Sequence, residues 1–464
     1  MRDRDRAIPV RPALIGIAVL YVLWLLLAWP SAATAQTVQD SGDPVLDGLI
    51  AAALEANPGV RAVEARIDGA RAARFETALD LAPRVTAAGG YTRQRISGAT
   101  FPDFGDGRFP DQDVWEVGTQ LRWELDAFGR TRSALSGRSA LVGAAEEDVG
   151  AARVRLAAEV ATAYYRLRGD EDRLTVARRN AENQRRTLDL TLERLEAGRG
   201  TALDTERARA QLSTTLASIP ALEASLAASR HRIAVLLGRD PGSTIEELAA
   251  GAAFEPPVLP ERLAVPDDGS LVLERPDVRS AARRRAAGEA FVSSARREYL
   301  PRFSIQGGAG YTAEAFDAIG DSGTFRYGVG AVVEWPLFDL GRVKARVDAA
   351  AADEAEAREL YANTMLEARE EMQTSIVAYN MTRERLRHLA DAAAASERAT
   401  ELARLRFESG ATDFLQVLDA ERRLLEAQDG LSAGRTEAAA ALVAVFRALG
   451  GVWPEGTGEA SAAG

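Results

Sequence analysis

The chain states one unit twice. Gly410-Ala411-Thr412-Asp413-Phe414-Leu415-Gln416 lies between two long helical runs, and Gly198-Arg199-Gly200-Thr201-Ala202-Leu203-Asp204 stands in the same setting 212 residues earlier. In each, a glycine that accepts positive φ ends one helix and a capping pair starts the next: Thr201 with Asp204, Asp413 with Gln416. Each stretch reads as the tip of a helical hairpin. The same spacing carries Trp123-Glu124-Leu125 and Gly129-Arg130 onto Trp335-Pro336-Leu337 and Gly341-Arg342, and Leu237-Gly238 onto Leu449-Gly450. Upstream the spacing is 218, with Asn57-Pro58 against Arg275-Pro276 and Pro83-Arg84 against Pro301-Arg302. One six-residue length change therefore falls between Arg84 and Trp123. A repeat of about half the chain is far longer than a solenoid period, so two large like halves are expected.

Within each half the hydrophobic period changes with position. From Asp43 to Leu81 apolar residues recur at helical spacing, broken at Asn57-Pro58. After Pro83 the period becomes two. Trp115, Val117, Thr119, Leu121, Trp123 and Leu125 share one face, opposite Glu116, Gly118, Gln120, Arg122 and Glu124. The second copy runs Phe325, Tyr327, Val329, Ala331, Val333, Trp335 and Leu337 against Arg326, Gly328, Gly330 and Glu334. Weaker strands precede each, at Val85 to Tyr91 and Phe303 to Tyr311, across loops Ser97 to Asp113 and Glu314 to Thr324. Strands of this length with one apolar face and terminal aromatics suit a membrane barrel, and alternation alone equally suits a sheet packed on a helix.

The helices that follow are longer than a compact domain needs. From Ala127 to Ala197 a seven-residue seam runs Val160, Leu167, Leu174, Ala181, Leu188, Leu195, and its copy runs Met372, Tyr379, Leu386, Ala393, Thr400, Phe407. Such a seam predicts coiled-coil packing, and roughly 70 residues of helix reach on the order of 100 Å. Return helices are expected over Ala202 to Leu237, kinked at Pro220, and over Phe414 to Leu449. The organisation read from the chain is a leader over 1–35, a first repeat over 36–238 with strand hairpin 84–126 and tip 198–204, and a Pro- and Gly-rich connector over 239–269. A second repeat over 270–450 follows, with strand hairpin 302–339 and tip 410–419, and then a flexible tail over 451–464.

The leader reads as a secretory signal: Arg2, Arg4, Arg6 and Arg11, an apolar run from Ala13 to Trp29, and Ala33-Thr34-Ala35 as a small-x-small cleavage site. The mature chain then begins at Gln36; an uncleaved inner-membrane anchor is the alternative. The formal net charge is −11, and loss of the leader makes it more negative, which does not suit nucleic acid. With no cysteine there is no disulfide, no thiol metal site and no lipid-anchor residue.

Four strands in two hairpins cannot close a barrel, and open strand edges cannot face lipid. A membrane reading therefore demands an oligomer that pools strands. At this point the chain resembles the TolC-like outer-membrane efflux family over nearly all of its mature length. The residues that carry the likeness are Phe407-Glu408-Ser409-Gly410-Ala411-Thr412 with Val417-Leu418-Asp419-Ala420, Leu195-Glu196-Ala197-Gly198 with Asp204, Asn57-Pro58, and Trp335-Pro336-Leu337-Phe338-Asp339.

The resemblance implies a mainly α protein with a membrane β-barrel: a homotrimer with a twelve-stranded barrel in outer-membrane lipid and a helical tunnel across the periplasm. It implies docking of a periplasmic adaptor (membrane fusion) protein joined to an inner-membrane pump of RND or ABC type. By family position the periplasmic gate falls on Asp204 and Asp419, with Gln416, Phe407 and Thr412 standing where relatives carry an acid, a tyrosine and an arginine. The adaptor-docking tips fall on Gly198, Thr201, Gly410 and Asp413, and the barrel aromatics on Trp115, Trp123, Tyr327 and Trp335. The structural reading of Asp204 as a helix cap stands beside the gate reading, and Asp419, past the first turn, reads equally as a solvated helix face.

Enzyme readings find no support in the residues. His231 and His388 are not equivalent between repeats, and the chain offers no phosphate loop, no nucleophile with a placed base and no metal-ligand cluster. No cofactor is implied. The functional expectation is the outer-membrane duct of a tripartite efflux system. The alternatives are a duct for type I protein secretion or metal efflux, or a periplasmic coiled-coil scaffold without a pore.

Overall fold

The computed structural model describes residues 41–96, 110–243, 245, 259–264 and 270–453. The leader, most of the loop from Ser97, most of the connector and residues 454–464 lie outside them. Each repeat opens with a short helix, a proline and a second helix: α1 (Pro44–Ala56) and α2 (Pro58–Leu79), then α5 (Ser270–Glu274) and α6 (Pro276–Arg296). Proline at N1 forgoes an N–H that a helix start leaves unpaired anyway, so it marks these beginnings without cost.

Two strands and then two long helices follow in each half. The strands are β1 (Arg84–Gln94), β2 (Gln112–Leu125), β3 (Arg302–Ala313) and β4 (Phe325–Glu334). The first helical hairpin is α3 (Arg130–Glu196) with α4 (Ala202–Leu236), and the second is α7 (Leu340–Glu408) with α8 (Phe414–Ala448). The helix α4 continues unbroken through Pro220, where a kink was expected.

The heptad seam is where burial falls. Met372, Tyr379, Leu386, Ala393, Thr400 and Phe407 are all buried, as are Val160, Leu167, Leu174 and Ala181, while Leu188 and Leu195 are half-buried near the tip. The helices lie side by side: toward the strands the neighbours run α2, α3, α6, α7, and toward the tips α4, α3, α8, α7. Glycines let them approach. A Cβ on Gly137 would strike the Phe291 ring of α6, and one on Gly169 would collide with Thr436 of α8. On the outer side of α7, Leu360, Leu366, Val377, Met381, Leu402 and Leu405 remain exposed.

The duplication extends to the hydrogen bonds that join each helix pair to the return helix. Asn57 Nδ2 donates to Leu236 O at 2.8 Å, and Arg275 Nη1 donates to Ala448 O at 2.9 Å. Two unlike side chains thus satisfy the equivalent last carbonyl of α4 and α8. Gly238 (φ 68°) and Gly450 (φ 75°) complete both ends in the left-handed conformation. From the connector, Leu263 exchanges backbone hydrogen bonds with the Asn380 side chain, both at 2.9 Å, and Tyr379 Oη donates to Pro260 O at 2.5 Å. Of the tail expected to be flexible from 451, only residues 451–453 are described, and these are docked on α8; the rest lies outside the described residues. Gly451 N donates to Phe446 O, and Trp453 stacks on Phe446 at 4.3 Å.

The strands form one antiparallel sheet in the order β1-β2-β3-β4. Its register runs Tyr91, Trp115, Ala313 at one end and Leu121, Gly307, Val329 farther down, so the apolar faces of all four strands coincide. Sequence alternation carries β4 to Leu337, but the strand stops at Glu334 because Pro336 has no N–H to donate to a ladder. Among the described residues no helix is long and apolar enough to cross a membrane.

Candidate functional site

Both tips form as the glycines and caps require. At the first, Gly198 takes φ 70°, its N–H reaching Leu195 O at 3.0 Å, and Arg199 N reaches Arg194 O at 2.8 Å. Thr201 Oγ1 accepts from Asp204 N at 3.2 Å and donates to Asp204 Oδ2 at 2.6 Å. At the second, Gly410 takes φ 75°, and the Asp413 carboxylate accepts from Gln416 N at 3.3 Å. In both, the cap-to-third-residue limb of the capping box is made.

The residues grouped by family position do not stand alike. Phe407 is buried, its ring 5.5 Å from Phe414, with Arg194 of the first hairpin 4.0 Å above it. Phe407, Phe414, Val417 and Ala208 form a small apolar cluster that ties the two tips together. Thr412 is half-buried in the turn and Gln416 is exposed.

Asp419 accepts from Arg422 and Arg423, each at 2.9 Å, and the Arg422 hydrogen bond, aided by the Arg423 charge, holds its carboxyl below the ordinary range. Asp204 has no cationic partner among the described residues, and nothing there links it to Asp419. Of the two acids, Asp204 is the one whose charge is left to act at a distance.

A polar seam between the hairpins was not anticipated. Glu421 is buried and takes Arg404 Nη2 at 2.8 Å and Nε at 3.1 Å, with Thr187 Oγ1 donating at 3.0 Å. Higher up, Asn180 Nδ2 donates to Gln428 Oε1 at 3.0 Å, and Arg173 bridges Asp429 at 2.7 Å and 3.1 Å. A signal existed: Phe414, Val417, Glu421 and Leu424 form a buried i, i+3, i+7, i+10 stripe with a carboxylate in its middle.

At the sheet the four aromatics take three positions. Trp115 packs 4.7 Å from Tyr91 and 5.2 Å edge-on to Phe316, next to the hairpin loops. Trp123 Nε1 donates to Leu81 O at 2.9 Å and Trp335 Nε1 to Tyr299 O at 3.0 Å, so both indoles anchor the sheet to the helix before it. Tyr327 stands 79% exposed among apolar neighbours. Trp115 and Trp123 are separated by roughly 26 Å along the strand, which a tilt of about 40° reduces to about 20 Å, within the apolar band of an outer-membrane barrel, about 25 Å tall.

A four-stranded sheet with one exposed apolar face, set at the end of helical hairpins of some 67 and 69 residues per long arm, defines the class of outer-membrane channels with a helical tunnel. The chain belongs to the outer membrane efflux protein family, whose model matches residues 49–239 and 269–451, one match for each repeat. It is 30% identical over 416 residues to the outer membrane protein OprJ of Pseudomonas aeruginosa, covering 89% of this chain and 85% of that one. It is 28% identical over 411 residues to the toluene efflux pump outer membrane protein TtgF of Pseudomonas putida, covering 89% and 84%. Among solved structures, the outer-membrane channel OprN superposes with a TM-score of 0.81 at 37% identity, over 89% of this chain and 91% of that one. The open state of the MtrE channel of Neisseria gonorrhoeae matches at 0.79 with 24% identity, a likeness of fold.

Proposed function

We propose that three copies of this chain close a twelve-stranded barrel in the outer membrane and a helical tunnel beneath it. The assembly is the exit duct of a tripartite efflux system, fed by an inner-membrane pump through a periplasmic adaptor. The observation that carries this is the sheet: β1 and β4 are open edges of a sheet whose apolar residues all share one face. Open edges in lipid leave backbone groups unpaired at several kcal/mol each, so the sheet needs like neighbours on both sides. The exposed apolar residues along α7 support the same closure lower down. A relative named for toluene efflux supports small organic cargo.

In this reading the leader is cleaved near Ala35, and the tips at Gly198 to Thr201 and Gly410 to Asp413 receive the adaptor. Asp204 and Asp419 sit at the narrow end of the lumen, with the Phe407 cluster holding the hairpins together behind them. Rings of carboxylates at a constriction favour cations. In planar bilayers the purified protein is expected to conduct with a cation preference, and Asp204→Ala with Asp419→Ala is expected to lower that preference. Most of the change should come from Asp204, because Asp419 is already paired with two arginines. Conduction with unaltered selectivity would remove the gate assignment and leave Asp204 a helix cap; no conduction would remove the duct.

A further inference from the structure

The polar face of the sheet carries two arginines directly opposite each other. Arg84 of β1 pairs in register with Arg122 of β2, and both side chains are exposed on the concave side beside Gln306 and Gly330. Like charges opposite one another on a sheet are destabilising. Elsewhere the strands and their rims avoid this. Arg93 and Arg95 bind Asp111, Arg326 binds Glu116 at 3.1 Å, Arg130 binds Glu124 at 2.8 Å and Arg302 lies 3.7 Å from Glu298. Among the described residues neither Arg84 nor Arg122 has a carboxylate partner. The acid nearest in sequence on that face, Glu124, is taken by Arg130. The row above them holds Thr86, Gln120, Gly308 and Gly328, and the next Ala88, Gly118, Gly310 and Arg326, the last bound to Glu116, and both Arg84 and Arg122 stay exposed.

We infer that Arg84 and Arg122, repeated in each copy, form a cationic girdle low in the barrel lumen that binds multivalent anions, of the phosphate and carboxylate kind, as they pass. The inference rests on the trimeric barrel proposed above. Ring closure lays β1 against β4 of the next copy, whose polar face carries one carboxylate, Glu334, already opposite Arg302. One carboxylate cannot neutralise two guanidiniums, so each copy keeps net positive charge at this level. Each guanidinium presents a planar fork that donates two parallel hydrogen bonds to an oxyanion, and two side by side favour anions with more than one charged oxygen. The girdle opposes the acids at the tips, giving the two ends of the duct opposite preferences.

The test is block of single-channel current by inorganic tripolyphosphate, with ion selectivity measured in the same bilayers. For Arg84→Gln with Arg122→Gln, the concentration giving half block should rise about tenfold or more, and cation preference should increase. Removing a repulsive pair should leave assembly intact. Arg122→Glu, which gives Arg84 a cross-strand partner, is a second variant expected to abolish block with the sheet preserved. Replacing the neutral pair, Glu116→Gln with Arg326→Gln, should change block little. A parent that conducts, with block unmoved by either Arg84 and Arg122 variant, would overturn the girdle alone. A parent that never conducts would overturn the duct and the girdle with it.

Discussion

Arginine at both Val117 and Val329 should prevent the protein from reaching the outer membrane as an assembled channel. Both valines lie on the apolar face of the sheet and are exposed, 45% and 75%. Val117 sits between Gly89 and Tyr311 in register, in the row next to Trp115, and Val329 lies opposite Gly307, two rows farther toward the middle of the sheet. A guanidinium near the middle of the bilayer costs about 2–4 kcal/mol in a barrel. In a closed assembly of three, the Val329 position alone supplies three such charges, about 6–12 kcal/mol and comparable to the stability of a whole domain, and those at Val117, nearer the interface, add to it. The same residue placed on the other face, at Thr86 or Gln120, should be tolerated because that face meets water. The readout is the amount of SDS-resistant oligomer in outer-membrane fractions. Undiminished oligomer in the doubly substituted protein would mean that these strands do not face lipid.

The second large effect should come from Arg275, far from either membrane or tip. Its side chain is 8% exposed and makes three kinds of bond: to Ala448 O at 2.9 Å, to both oxygens of Asp277 at 3.1 Å and 2.7 Å, and to Glu371 at 2.8 Å. Arg275→Ala strands a helix-end carbonyl and separates two carboxylates from their shared cation. We expect a loss of about 2–4 kcal/mol, read as a lower thermal midpoint of the solubilised protein. Asn57→Ala, at the matching place in the first repeat, removes only neutral bonds and should cost about 1 kcal/mol.

Acid should narrow the difference made by Arg275. Burial alone would raise the Asp277 carboxyl, but the hydrogen bonds and charge of Arg275 outweigh it and hold the group below its ordinary range. A depressed carboxylate adds stability above the unfolded value, about 3.9, and loses it as pH falls through the folded one. The parent should therefore lose more stability than Arg275→Ala as pH drops below about 4.

How far the chain could be read in advance depended on whether a feature repeats. The strands alternate over several residues in each half, and the seam from Met372 to Phe407 recurs every seven, so both announce themselves as periods. Single contacts do not. Asn57 and Arg275 reach equivalent carbonyls with unrelated side chains; the prolines that follow them align the two positions, but their residue types do not foretell the shared bond. The pairing of Asp419 with Arg422 and Arg423 is local, at i+3 and i+4, and was legible in principle. Phe407 sits on the heptad seam, and that period accounts for its burial against Phe414. Glu421 was missed because acids spread along long helices usually mark solvated faces; only its place within an apolar stripe sets it apart.

A closed trimeric barrel requires β1 of one copy to lie beside β4 of the next, three times around. The chain has no cysteine, so a cysteine at Thr86 on β1 and another at Val332 on β4 would be the only two thiols in it. Within one copy these strands are three strand spacings apart, about 14 Å, beyond a short thiol-reactive linker; across a closed interface they are neighbours. Treated in outer membranes with a homologous series of such linkers, the protein should give covalent dimers and trimers on denaturing gels and nothing larger. Monomer alone across the whole series, or a ladder that continues past three, would contradict the closed trimeric barrel.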